Sequence, residues 1–253
     1  MRRRLVAWVS LVAGALCATG SEPALRVEAQ QVACGAVVAD PAIAGEHASA
    51  AVIPVAVFAS LPGDVRRILE RPTLSARGPS ELFRGRAGIY DWLLDHPDQA
   101  VLIWRRLGAK CMDIDDQGSG WFGWSDRQGS AVHWQTVHRS SQLRIWYAEG
   151  TGKPSVLLPA VPARAVVVLH MTKGSDHAGR PVIRHQAEIY LQTDSKSTLL
   201  VARLLGTSVP RLADQAIGQM EIFFSALTWY LDRHPERAEG LLPVEFSSRA
   251  VDR

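Results

Sequence analysis

The chain has 253 residues, 47% of them hydrophobic and 21% charged, with a formal net charge of +3 at neutral pH. That balance excludes a disordered chain, and the lack of clustered positive charge excludes a nucleic-acid surface. Three arginines and no acid lie among the first twenty residues, so the chain beyond them is formally neutral.

Residues 1–20 have the order of a cleavable export signal. Arg2, Arg3 and Arg4 precede an uncharged run from Leu5 to Ala18, and small residues follow. A spanning helix needs about 20 apolar residues, and the 14 of this run fall short. The expectation is a protein released into the periplasm or the extracellular space. Cys17 would leave with the signal, so Cys34 and Cys111 remain. In an oxidising compartment they either form one disulfide closing a long loop or stay as two thiols.

Residues 21–50 carry small and polar residues without a clear period and read as an irregular lead-in. From 51 to 253 the expectation is one α+β domain. Ala51 to Phe58 is apolar and β-branched apart from Pro54, as in an edge strand. Asp64 can cap a short helix from Val65 to Glu70. From Ser80, a helical pattern runs through Leu82, Phe83, Ile89, Trp92 and Leu93. Pro97 starts a second helix in its first turn, and Gly108 ends it.

Between Cys111 and Gly206 short β-type runs alternate with turn clusters, the pattern of an antiparallel meander. The strands expected are Trp121–Trp124, Ser130–His138, Gln142–Ala148, Ala165–Met171, Val182–Gln192 and Thr198–Leu205. Turns are expected at 115–118, 126–129, 149–152, 173–176 and 193–196. Ile183, His185, Ala187, Ile189 and Leu191 alternate with Arg184, Gln186, Glu188 and Tyr190, which predicts one packed and one wet face. Last comes an amphipathic helix, capped by Ser208 and running to about His234. Its apolar stripe includes Leu212, Met220, Phe223, Phe224, Leu227 and Leu231, with Ser225 opposite.

Short helices, a meander whose turns end in Gly, and a long terminal helix form an order that resembles the START-like (SRPBCC) superfamily of polyketide cyclases and lipid-transfer domains. The resemblance spans about residues 80–237. It implies a helix-grip fold, in which the sheet wraps around the terminal helix and leaves an apolar cavity for a lipid or other hydrophobic small molecule. Catalytic members share no signature, so no catalytic residue carries over.

Chemical motifs are absent. There is no Gly-x-Ser-x-Gly, no HExxH pair, no EF-hand loop and no phosphate-cradling turn. No cofactor and no metal is expected. The candidate pocket walls are Val132, Trp134, Tyr147, His170, His185 and Ala187 from the sheet, with Met220 and Phe224 from the helix, and His185 would orient a ligand head. The alternatives are a cyclase- or hydrolase-type enzyme with His170 or His185 as general base, and a scaffold acting through its surface.

Overall fold

The computed structural model describes residues 52–126, 129–152, 160–193 and 209–234, with 237, 240 and 242; of 209–216 it describes the backbone alone. The signal, Cys34, the 198–205 strand and Ser208 lie outside these residues.

Chain order begins with two short helices, α1 (Val55–Ser60) and α2 (Gly63–Glu70). Two short strands follow, β1 (Leu74–Arg77) and β2 (Glu81–Arg84), then α3 (Ala87–Asp95) and α4 (Pro97–Arg106). The meander is β3 (Asp115–Gly118), β4 (Trp121–Ser125), β5 (Ala131–Arg139), β6 (Leu143–Gly152), β7 (Val161–Ser175) and β8 (Pro181–Thr193). The chain then forms α5 (Val209–Arg233). All pairings described are antiparallel, in the order β1-β8-β7-β6-β5-β4-β3, with β2 also on β8. This is an α+β helix-grip-like fold.

Four local expectations give way. Of the expected strand Ala51–Phe58, the described residues 52–58 form no strand. Pro54 precedes the helix Val55–Ser60, and Ile53, Val57 and Leu61, spaced by four along and beside it, pack on the sheet. The region from Ser80 starts not with helix but with β2, because β8 leaves an edge unpaired there and Glu81–Arg84 fill it. Helix resumes at Ala87. The segments 115–118, 149–152 and 173–175 are strand rather than turn, and the chain reverses beyond them at Ser119-Gly120 and at Asp176–Arg180. Strand pairing with long neighbours overrides the turn preference of their glycines. Ser225 is buried, its hydroxyl turned to the carbonyl of Ile222. The helix after Pro97 and its stop hold: Gly108 has φ 90°, and Ala109 N–H reaches back to the carbonyl of Trp104.

The sheet is covered on both faces, so the expected wet face is also partly packed. On the inner face Trp146, Val167, Leu169, Ala187 and Ile189 meet α3, α4 and α5. On the outer face Leu61, Val65 and Ile68 cover Ile145, Tyr147, Val166 and Val168. The continuous burial of Leu143 to Ala148 records this two-sided cover.

Candidate functional site

Register assigns each side chain to a face. Trp134 stands opposite Ala148, which stands opposite Ala165; Trp146 stands opposite Val167, and Val167 opposite Ile189. These rows face α5. The rows between them, such as Gln135–Tyr147–Val166–Tyr190, face α1 and α2.

Between the inner face and the helices lies a cavity of about 50 Å³. The sheet supplies Trp124, Trp134, Trp146, Ala148 and Val167. Its roof is Met220 and Phe224 from α5, with Leu94 and Pro97 at the α3–α4 junction and Ile114 at the side. The lining is apolar apart from indole N–H groups. Three indoles on one face of the sheet provide large, flat walls, and Met220 provides an adaptable one. A water molecule needs roughly 10–15 Å³ by this measure, so the volume takes only a few heavy atoms.

Of the predicted walls, Trp134, Met220 and Phe224 line this cavity. Val132 is on the same face, packed beside Trp124. Ala187 is on that face too but lies against α5, with its N–H donated to Glu221 Oε1 at 2.7 Å. Tyr147 and His170 are not pocket residues. Tyr147 alternates with Trp146 and so points outward, where its ring meets Trp121 edge-on and its hydroxyl donates to Glu149. His170 shares the face of Val166 and Val168; burial lowers its pKa, against the raising effect of Glu188. His170 and His185 therefore stand on opposite faces of neighbouring strands, since His170 pairs with Gln186 and His185 with Met171.

His185 does face inward, yet it lies outside the cavity lining. It is 1% exposed, and its Nδ1 is 2.6 Å from the Tyr90 hydroxyl. Its Nε2 is 3.6 Å from Glu81 Oε2. Phe83 closes the group at 5.0 Å between ring centroids. Burial pushes the Tyr90 hydroxyl well above its ordinary pKa, and Glu221 adds to that. The pair is a buried hydrogen bond set apart from the residues that line the cavity.

Two buried ionisable side chains missed in the sequence complete the inner face. Glu221, 1% exposed, has its pKa raised to about 8, first by burial and then by Glu81, against the lowering effect of the Ala187 N–H. Arg144, also 1% exposed, donates to Asp95, the last residue of α3. Position along each element places them: Arg144 shares the face of Trp146 and Ala148, and Glu221 falls one turn after Ile217 on the apolar stripe. A larger depression of about 670 Å³ lies at the far end of the outer face, bordered by the cross-strand row His133–Glu149–Arg164–Gln192. Among the described residues no group of three His, Cys, Asp or Glu side chains is arranged to hold a metal ion, and no helix is long and apolar enough to cross a membrane.

No family model matches the sequence, and no curated protein matches it. Similar solved structures include a conserved protein from Geobacillus kaustophilus, with TM-score 0.40, 13% identity, and coverage of 64% of this chain and 97% of that one. A hypothetical protein from Helicobacter pylori gives TM-score 0.39 and 10% identity, over 73% of this chain and 98% of its own. Norcoclaurine synthase from Thalictrum flavum gives TM-score 0.33 and 10% identity, over 70% and 96%.

Proposed function

We propose that this protein is an exported, non-enzymatic domain of START-like type that binds a small hydrophobic molecule or a lipid chain between its sheet and α5. The observation that carries the reading is the cavity walled by Trp124, Trp134 and Trp146 under Met220 and Phe224. Apolar walls with few polar groups are the usual make-up of a small-molecule site. The volume is far below the roughly 300 Å³ of a typical ligand pocket. A longer chain therefore enters only as Met220, an unbranched side chain with three rotatable bonds, swings aside.

The enzymatic alternative has no support in the placement of its bases. His170 faces the other side of the sheet, and His185 is held by Tyr90 away from the cavity.

The test uses the indoles themselves. The protein is purified from a native envelope fraction and examined by native mass spectrometry, then titrated with alkanes, fatty acids and single-ring aromatics while Trp emission is followed. Co-purified apolar molecules, or a saturable emission change, are the expected result. A protein that carries nothing and responds to nothing leaves the surface-scaffold reading in its place.

A further inference from the structure

A charged cluster lies next to the apolar cavity, outside its lining but joined through the chain to residues that form it. Arg144 lies two residues before Trp146 on β6 and on the same face, about 7 Å along the strand. Its partner Asp95 is flanked by Leu94 and followed at two residues by Pro97, and Trp146, Leu94 and Pro97 all line the cavity. Arg144 stands directly opposite Arg139 on β5. Like charges so placed repel, and here both guanidinium groups share the single Asp95 carboxylate, Arg139 Nη2 at 2.6 Å. The cluster keeps one net positive charge. Arg139 and Asp95 reach solvent, with side chains 61% and 17% exposed, whereas Arg144 is 1% exposed. The Nε–H of Arg144 is buried and has no hydrogen-bond acceptor among the described residues.

A buried guanidinium N–H without an acceptor is costly, and a net cation beside an apolar cavity selects the ligand that supplies what is missing. We infer that Arg144 anchors the head of the ligand and that the ligand is an apolar carboxylic acid, its carboxylate taking the Arg144 Nε–H and its hydrocarbon part lying among the tryptophans. This rests on the apolar-cavity reading above and adds the chemical class of the ligand. Glu221 is no rival anchor. Its free Oε2 lies where a Cβ on Gly78 would come within 2.8 Å, on the β1–β2 side of α5.

The experiment compares acids with neutral molecules of the same shape on the full chain: butanoate, hexanoate and octanoate against butanamide, hexanamide and octanamide, at neutral pH, by calorimetry and Trp emission. A charge-assisted hydrogen bond predicts that each acid binds roughly tenfold or more tightly than its amide. Arg144→Lys, which keeps the charge and removes the Nε donor, is expected to erase most of that preference and leave amide binding unchanged. Arg139→Gln serves as the exposed control. Acid and amide binding equally overturns the inference and leaves the hydrophobic site standing. Binding of neither series, with apolar hydrocarbons also failing, overturns both. If Arg144→Lys does not fold, the comparison on the unaltered chain decides alone.

Discussion

Glu221 on α5 accepts the backbone N–H of Ala187 on β8 at 2.7 Å, taking the place of a strand partner that the sheet edge does not supply. The edge is one interrupted strand. β1 pairs with Glu188–Leu191 and β2 with Val182–His185, and between them residues 78–80 face only Ala187 and Gln186. This is a one-residue bulge. Gly78 donates to the Ala187 carbonyl, but its own carbonyl is taken by the Gln186 side chain at 2.9 Å. The carboxyl of Glu221 fills the vacancy and fastens α5 to the edge.

That role makes stability depend on pH. The folded state raises the Glu221 pKa from its ordinary 4.5 to about 8, mainly by burial. Between those values the folded chain binds a proton that the unfolded chain has released, so stability falls as pH rises. The contribution is full below the unfolded pKa and lost by passage through the folded one. Taken alone, the shift is worth on the order of 5 kcal/mol. Denaturation in urea at about pH 5 and about pH 8 should show a decline that Glu221→Gln largely removes. An identical decline in the variant would assign the pH dependence elsewhere.

Gly78 is where backbone and helix come closest. A Cβ there would lie 2.4 Å from Ile217 Cγ2 and 2.8 Å from Glu221 Oε2. Neither atom has room to retreat, since both residues are buried. Gly78→Ala should therefore cost about 1–3 kcal/mol by overpacking, and Ile217→Leu in the same chain, which removes the Cγ2 branch at nearly constant volume, should recover part of it. An unchanged melting temperature for Gly78→Ala alone would mean that α5 does not press on the edge as described.

Much of this was legible in the sequence, for definite reasons. The alternation of Ile183, His185, Ala187 and Ile189 correctly marked the inner face of β8, and the spacing of Met220, Phe224 and Leu227 marked the buried stripe of α5. β1 and β2 were not legible, because short strands beside Gly78 and Pro79 exist only through their pairing with β8. The opposite facing of His170 and His185 depends on register between two long strands, which neither strand encodes by itself. Tyr147 was a parity error, since Trp146 beside it already held the inner position. Arg144 and Glu221 went unread because a charge on an apolar stripe looks like noise until its partners, Asp95 and the Ala187 N–H, are in place.

Export can be checked on the molecule directly. The run from Leu5 to Ala18 is too short to span a membrane and is followed by small residues. Intact-mass measurement on protein from the native envelope fraction should find an N-terminus near residue 21. A full-length chain embedded in the membrane would refute this, and cytoplasmic recovery of the full-length chain would count equally against it.

Two alanines on the same face of the sheet separate a cavity from a packed core. Ala148 lines the space under Met220 and Phe224, whereas Ala187 is fully buried against α5. Two added methyl groups at Ala148 enter empty volume, so they displace ligand without displacing protein. The same two at Ala187 enter occupied volume, next to the Glu221 carboxyl that its N–H holds. Ala148→Val should change stability by less than about 1 kcal/mol and weaken binding of apolar ligands by roughly tenfold or more. Ala187→Val should instead lower stability by about 1–3 kcal/mol and leave the affinity of the folded fraction near that of the parent. The measurements are thermal melts and ligand titrations on both variants. Equal destabilisation by the two substitutions, with no loss of binding at Ala148, would show that the space among the tryptophans is not where the ligand goes.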